Sequence, residues 1–418
     1  MLRATQSNLA FEDTQPFHTL PFLCGEVEVL LCCGGPQLQA RNAKRFSELV
    51  DSDLDWNRVF QLALGHHMVP LLYWNLSHRA LAVPSPVMDA LKNLFIRNVG
   101  RSLSMTGELL AILEDMERQN VIAVPYKGPV LASRVYGNIA LRHSVDLDII
   151  VRRNDVVNAR EVLLARGYSP HVMLDRSNHE FQVESRYSEI FVRSDSTVEL
   201  HWAFTNKDVA FPLTLDDLVA RLERHEVAGK SFPVFCPEDT LLILCVHGAK
   251  HGWNRLEWIC GIAELIHEQV QLDWTELLSR AIETGGSRRL FLGLALAHDL
   301  YGAQIPDRLK QDIRDNHSVI EMTGDVTAAL FNGQEKTSAI HSFGTIDHDL
   351  FHYRLGDRLP ERLRYVLYRV TTPSRPEKWS TISIAGRSLT LHAITRPFTV
   401  VGKLIPALWR LAPWKHGS

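Results

Sequence analysis

The chain has 418 residues, of which 45% are hydrophobic and 22% charged, a composition typical of soluble globular proteins with two or three domains. Its formal net charge of −3 excludes an electrostatic drive for binding bulk nucleic acid, although a local basic patch stays compatible with it. Uncharged apolar runs are too short for a membrane span, and the six cysteines form no C-x-x-C pair. We therefore expect a cytoplasmic protein with reduced thiols.

Helices dominate the predicted N-terminal region, residues 1–120. Apolar residues recur at helical spacing from Ala43 to Asn75, and Asp55 is the expected cap of a helix within that stretch. Pro84-Ser85-Pro86 opens a second periodic pattern, which predicts a long helix from Val87 to about Gln119. These patterns favour a helical lead-in to the rest of the chain.

The stretch from Val121 to Val151 predicts a strand, a tight turn, a short helix and a second strand. Lys127-Gly128 forms the turn, where glycine would let a phosphate approach the backbone. Side chains two apart on a strand point the same way, so Asp146 and Asp148 are expected on one face. Neighbouring carboxylates repel each other, and a cation such as Mg²⁺ would remove that repulsion.

Further strands complete a small mixed sheet in the predicted core, residues 121–235. We predict a helix at Asn154–Arg166, strands at His179–Glu184, Glu189–Arg193 and Thr197–Phe204, and a hairpin turn at Asp195-Ser196. On the returning strand, Glu199 and His201 lie on one face, and the apolar Val198, Leu200 and Trp202 lie on the other. Glu199 is thus a candidate partner for the acidic pair.

The remaining region, residues 236–418, is predicted to be mainly helical. Pro237 followed by two acids is a helix start signal, and more helices are expected at Arg255–His267, Trp274–Thr284, Arg288–Tyr301 and Leu359–Val370. Residues 315–350 are polar and poorly periodic, which predicts a long loop or a frayed helix. The expected fold is therefore α+β, with a small mixed sheet flanked by helical N- and C-terminal regions.

These acidic and glycine positions resemble the polymerase-β-like nucleotidyltransferase superfamily. That superfamily carries a glycine turn after its first strand, D-x-D on its second and a third carboxylate on a later one. More narrowly, the chain resembles an uncharacterised bacterial nucleotidyltransferase family with the pattern K-G…R-x-x-x-D-x-D-I and a later [DE]-x-H-W. The matching residues are Lys127, Gly128, Arg142, Asp146, Asp148, Glu199, His201 and Trp202.

The resemblance covers most of the chain. It extends to Trp56 with Pro70-Leu-Leu-Tyr, to His247-x-x-x-His251-x-Trp253, and to Arg396-Pro397. Two positions depart from the pattern. Lys127-Gly128 stands where the superfamily usually has Gly-Ser or Gly-Gly, and Gly261 lies where an acidic residue is expected after Trp258.

The resemblance implies an enzyme that transfers a nucleoside monophosphate from a nucleoside triphosphate such as ATP. The acceptor would be a hydroxyl or phosphate of a small molecule or a protein. Two Mg²⁺ ions, or Mn²⁺, would be held by the catalytic acids Asp146, Asp148 and Glu199. Lys127, Gly128 and Arg142 are the expected nucleotide contacts. His201, His247 and His251 are candidates for an acceptor pocket.

Several alternatives stand beside this hypothesis. Most isolated D-x-D pairs are solvated surfaces, and Arg142 could equally be a structural partner of Asp146. His247 and His251 have the i, i+4 spacing of zinc ligands, but no glutamate follows the first histidine and no third ligand is evident, so a pocket wall is favoured over a zinc hydrolase. For the whole chain, the alternative is a degenerate domain that binds nucleotide or scaffolds a biosynthetic complex.

Overall fold

The computed structural model describes residues 16–18, 23–37, 40–79, 81–171, 187–194, 196–206, 211–268, 271–332, 348–371, 381–384 and 387–390. Three sequence predictions fall outside these ranges: the strand at 179–184, the turn residue Asp195, and the match at Arg396-Pro397.

The described residues before the sheet are mainly helical, as predicted. Its helices are α1 (Gly25–Cys32), α2 (Ala40–Val50), α3 (Trp56–Gly65), α4 (Val69–Ser77) and α5 (Ser85–Arg118). The stretch predicted as helical from 43 to 75 is broken twice. Asp55 caps α3, because its carboxylate accepts the backbone N–H groups of Asn57 and Arg58 at 3.0 and 3.1 Å. The second break includes His67, whose φ of +58° ends α3.

A five-stranded mixed sheet follows, which confirms the predicted fold class. Its strands are β1 (Ala123–Pro125), β2 (Leu147–Val151), β3 (Ser169–Pro170), β4 (Ser188–Arg193) and β5 (Ser196–His201), in the order β1-β2-β5-β4-β3. Only the β2–β5 pair of this sheet is parallel. Helices α6 (Gly128–Tyr136) and α7 (Val156–Ala165) follow β1 and β2, with 3₁₀ turns at Ile139–Leu141 and Arg153–Asp155.

The two faces of β5 are as the alternation of the sequence predicts. Val198, Leu200 and Trp202 are buried and belong to an apolar cluster with α5 and α7. Trp202 is therefore a core residue. The prediction of a strand from Val145 to Val151 is wrong at its first two residues, because β2 begins at Leu147 and leaves Val145 and Asp146 in the preceding loop.

The rest of the described chain is mostly helical. Helix α8 (Leu215–Leu218) and a 3₁₀ turn (Val219–Arg221) lead into a hairpin of β6 (Glu223–Val227) and β7 (Lys230–Val234) that the sequence pattern did not predict. The helices that follow are α9 (Pro237–Lys250), α10 (Leu256–Glu268), α11 (Trp274–Glu283), α12 (Ser287–Tyr301), α13 (Asp307–Arg314), α14 (His317–Asn332), α15 (His348–Arg354) and α16 (Leu359–Thr371). A second hairpin, β8 (Thr381–Ile384) and β9 (Arg387–Thr390), comes last.

Helix α14 corrects the prediction of a loop or frayed helix for residues 317–332, while residues 333–347 lie outside the described ranges. Thr323 and Thr327 are buried within it, and each hydroxyl donates to the backbone carbonyl four residues earlier, at 2.9 and 2.8 Å. Helix hydrogen bonding of this kind lets polar residues fill a buried face, so the hydrophobic period is weak.

One apolar cluster joins α1, α6, α9, α10 and α12. Helices that precede and follow the sheet in the sequence therefore share one core. The division into regions at 120/121 and 235/236 stays a prediction. None of the helices within the described ranges is long and apolar enough to cross a membrane.

Candidate functional site

The turn after β1 brings a lysine against the acidic strand. Gly128 has φ +60°, and a Cβ there would lie 3.4 Å from the carbonyl oxygen of Asp146, so the left-handed turn favours glycine. The turn directs Lys127 towards β2, where its Nζ lies 2.5 Å from Asp148 Oδ1. The Lys127 ammonium also lies 5.2 Å from the centre of the Tyr126 ring. A buried cation and carboxylate thus meet at the start of α6.

Parallel pairing of β2 and β5 places Asp148 directly beside Glu199. His201 lies two residues further along β5, and its Nε2 is 3.0 Å from Asp148 Oδ1 and 3.5 Å from Glu199 Oε2. Since both neighbours are carboxylates, Nε2 donates to them in the tautomer that is protonated there, whereas the other tautomer presents Nε2 as a lone-pair ligand. The hydroxyl of Ser188, on β4, donates to the other oxygen of Glu199 at 2.6 Å. Adjacent strands therefore hold the two acids in a fixed, hydrogen-bonded arrangement.

The charges of this cluster set the pKa of each aspartate in opposite directions. Burial alone would raise the pKa of Asp148, but Lys127 and the hydrogen bond from His201 outweigh burial and hold this pKa well below its usual range. Burial, followed by the charge of Asp148, raises the pKa of Asp146 to about 6. Asp148 is therefore an anion at neutral pH, while Asp146 is less acidic than an ordinary aspartate.

The residues that could hold a metal ion differ from the predicted set in one member. Ligand atoms of Asp148, Glu199 and His201 all lie within 4.8 Å of one another, whereas Asp146 is not part of that group. Two carboxylates and an imidazole are a suitable donor set for a divalent cation. The residues present therefore fit a metal site, with Asp146 beside it.

Arg142 is buried and pairs with Glu257, whereas the sequence suggested Asp146 as its structural partner. Its Nε lies 3.1 Å from Glu257 Oε1, and the other oxygen of Glu257 lies 3.3 Å from His67 Nδ1. Burial alone would raise the pKa of Glu257, but Arg142 and His67 hold this pKa below its usual value. The arginine thus ties the loop before β2 to α10 rather than pairing with Asp146.

Asn98 of α5 fixes the same loop from another side. Its amide donates to the backbone carbonyls of Ala140 and Arg142 at 2.8 and 3.1 Å. Sequence reasoning missed both Asn98 and Glu257. The available signal for Asn98 was a polar residue inside the apolar face of a long helix. The only signal for Glu257 was its position as an acidic residue in the first turn of a predicted helix.

The predicted histidine pair lies near the end of α9, against Trp258. The ring centres of His247 and His251 are 4.7 Å apart, and Trp258 lies 5.3 and 5.4 Å from them. Burial and then the charge of Lys127 lower the pKa of His247 well below its usual value, and burial and Lys250 lower the pKa of His251 to about 3. Both rings are therefore neutral at pH 7, close enough to the lysine turn to feel its charge.

Neither histidine belongs to a metal-ligand group among the described residues; packed against Trp258, the pair forms what we call the histidine wall. Lys250, near the end of α9, donates to the hydroxyl of Tyr187 at 2.7 Å and so links this wall to β4. Sequence reasoning missed this link.

A cavity of about 520 Å³ lies elsewhere, between α5, β1 and the β6–β7 hairpin. None of the predicted site residues lines it. We therefore assign no role to it in the chemistry of the acidic cluster.

Comparison with known proteins decides the family. A family model described as an uncharacterised nucleotidyltransferase matches residues 52–302, well over half of the chain. The chain belongs to this nucleotidyltransferase family. A search of curated proteins gave no match.

Among solved structures, this nucleotidyltransferase aligns with the antibiotic-resistance factor ANT(2'')-Ia, studied in solution for its substrate-regulated conformation dynamics. Sequence identity is 15% and the TM-score is 0.26, with 52% of this chain and 95% of the other covered. At that score the alignment supports no inference about this chain.

Membership in the family makes the protein an enzyme that transfers a nucleotidyl group, with a nucleoside triphosphate as donor and an acceptor. The matched range contains the lysine turn, the acidic cluster and the histidine wall. It therefore covers all of the residues predicted to form the site.

Proposed function

We propose that this nucleotidyltransferase moves a nucleoside monophosphate to a hydroxyl or phosphate of a small molecule or a protein, with Mg²⁺ as cofactor. The observation that supports this most is the meeting of Asp148 and Glu199 on neighbouring parallel strands, beside a glycine turn. Two carboxylates held side by side in a sheet next to a glycine turn suit metal-assisted nucleotidyl transfer.

The metal would be held by Asp148 and Glu199, with Asp146 as the third acid. Bound there, Mg²⁺ would neutralise the triphosphate and polarise its phosphorus. Mn²⁺ would serve the same purpose, and the imidazole of His201 at the cluster is compatible with it.

The protein residues would then carry the remaining steps. Glu199 accepts the proton of the acceptor hydroxyl, whose oxygen forms a bond to the α-phosphorus while the bond to pyrophosphate breaks. Gly128 lets the backbone approach the phosphates, and Lys127 offsets their charge. His201 would line the acceptor side together with His247 and His251. The last two rings are neutral and would offer hydrogen bonds without adding charge.

Release of pyrophosphate from each nucleoside triphosphate, measured in the presence of fractionated cell extract, tests this proposal. We expect Asp148→Asn and Glu199→Gln each to reduce the rate by at least about 100-fold. Asp216→Asn is the matched control, since the Asp216 side chain is 63% exposed and its ion-pair partner is Arg152. Equal rates in wild type and Asp148→Asn would reject the enzymatic role of the cluster.

Identification of the modified component completes the experiment. Mass spectrometry of extract incubated with labelled triphosphates distinguishes a small-molecule acceptor from a protein. Tight nucleotide binding without turnover on any fraction would instead favour a nucleotide-binding or scaffold role.

A further inference from the structure

The Lys127–Asp148 pair is shielded from solvent. The side chains are 10% and 3% exposed, and the ammonium lies 2.5 Å from the carboxylate oxygen. The same oxygen of Asp148 also accepts from His201. Interactions between charges at such short range are weakly screened when water is excluded. Asp148 is therefore already neutralised by a cation that belongs to the protein.

This lysine affects any metal ion that Asp148 would bind. A divalent cation held by Asp148 and Glu199 would share Asp148 with the ammonium, and the two positive charges would repel each other strongly in a partly buried site. The nucleoside triphosphate brings the opposite charge. Its phosphates would approach the turn at Gly128, which directly follows Lys127 in the chain.

We propose that Lys127 opposes metal binding by the protein alone and that the triphosphate relieves this opposition by drawing the ammonium to its phosphates. The inference rests on the proposed function and adds a binding order to it. Metal and nucleotide then bind as a coupled pair, and the coupling is reciprocal. Lys127 is thus a positioning residue that exchanges one anionic partner for another.

Binding of Mn²⁺, followed by the electron paramagnetic resonance signal of the free ion, tests the proposal without relying on turnover. Titrations use wild type, Lys127→Met and Lys127→Arg, with and without a non-hydrolysable triphosphate analogue. We expect Lys127→Met to bind Mn²⁺ roughly tenfold more tightly, or better, than wild type when nucleotide is absent. Lys127→Arg, which keeps the charge, should resemble wild type.

Titrations with the triphosphate analogue should affect wild type more than Lys127→Met. The analogue should tighten Mn²⁺ binding strongly in wild type and only weakly in Lys127→Met, because the methionine variant has no charge to relieve. Lys230→Met is the matched control: Lys230 also pairs with a carboxylate, Glu114 at 2.6 Å, but both side chains are exposed. It should leave every Mn²⁺ titration unchanged.

Equal or weaker Mn²⁺ binding by Lys127→Met without nucleotide would overturn the inference, provided that circular dichroism shows a native fold. Lys127→Gln serves as a second neutral variant if Lys127→Met does not fold. Loss of Mn²⁺ binding in Asp148→Asn, together with Asp148-dependent pyrophosphate release, would show that the proposed function survives such a result. Absence of Mn²⁺ binding in all variants would overturn the inference as well.

Discussion

The buried pair of Arg142 and Glu257 gives the sharpest test of how the site loop is held. The two side chains are 10% and 3% exposed, and their charged atoms lie 3.1 Å apart. Removing one partner leaves the other charge buried and uncompensated, which costs about 3–5 kcal/mol. We therefore expect Glu257→Gln and Arg142→Met each to lower the free energy of unfolding by roughly 3 kcal/mol.

The double variant distinguishes a coupled pair from two independent contacts. Once Arg142 is methionine, Glu257→Gln removes a carboxylate that has already lost its arginine partner, so the second change should cost far less than it does alone. We expect a coupling free energy of about 2 kcal/mol in the cycle of wild type, two single variants and double variant. Urea-induced unfolding followed by circular dichroism measures each of the four.

An exposed pair provides the comparison. Arg118, whose side chain is 63% exposed, pairs with Glu114 on the surface of α5. Arg118→Ala should change the free energy of unfolding by no more than about 0.5 kcal/mol. The idea that this pair fastens the loop to α10 makes a claim about the double variant. It would be refuted if the loss of unfolding free energy in the double variant equalled the sum of the two single losses to within about 0.5 kcal/mol.

Three further predictions concern other parts of the molecule. Gly128→Ala and Gly137→Ala both place alanine at a positive φ, so each should lower the free energy of unfolding by about 1 kcal/mol in thermal unfolding. Only Gly128→Ala should also lower the rate of nucleotidyl transfer, and equal rates in the two variants would contradict this. Burial, with a contribution from Glu268, raises the pKa of Glu264 to about 8. Between pH 4.5 and 8 the native state therefore keeps a proton that the unfolded state loses, so the free energy of unfolding should fall as pH rises from about 4.5 to about 8. Glu264→Gln should flatten that part of the stability–pH curve, and a slope unchanged by the substitution would count against the assigned group. Ser188→Ala removes the hydrogen bond to Glu199 and should slow transfer by about tenfold without altering the melting temperature by more than a few degrees.

Local patterns in the sequence were sufficient for much of the fold. The Asp55 cap, the helix that Pro84-Ser85-Pro86 opens, and the alternation along β5 are decided by neighbours in the chain, and each appears in the structure as predicted. The same alternation places Glu199 and His201 together on the face of the sheet that also carries Asp148. Local patterns therefore indicate all three residues whose ligand atoms converge, because the D-x-D pattern also points to Asp148.

Contacts between distant segments could not be predicted in the same way. Alternation put Asp146 on the strand with Asp148, but strand pairing starts only at Leu147, opposite Val198, so Asp146 falls outside the ladder. The partner of Arg142 depends on how α10 packs against the loop, and nothing near Arg142 in the chain indicates Glu257. Helix α14 was missed for a related reason, because its buried threonines satisfy their own hydroxyls and mask the apolar period.

The parallel ladder between β2 and β5 has a consequence for how tolerant the enzyme is to redesign. Since backbone pairing sets Asp148 opposite Glu199, the spacing of the two acids is independent of the length of the polypeptide that joins the two strands. Peptide tags or foreign segments inserted in the connection after α7 should therefore leave the acids in register. A one-residue deletion inside β5 would instead turn Glu199 towards the apolar interior.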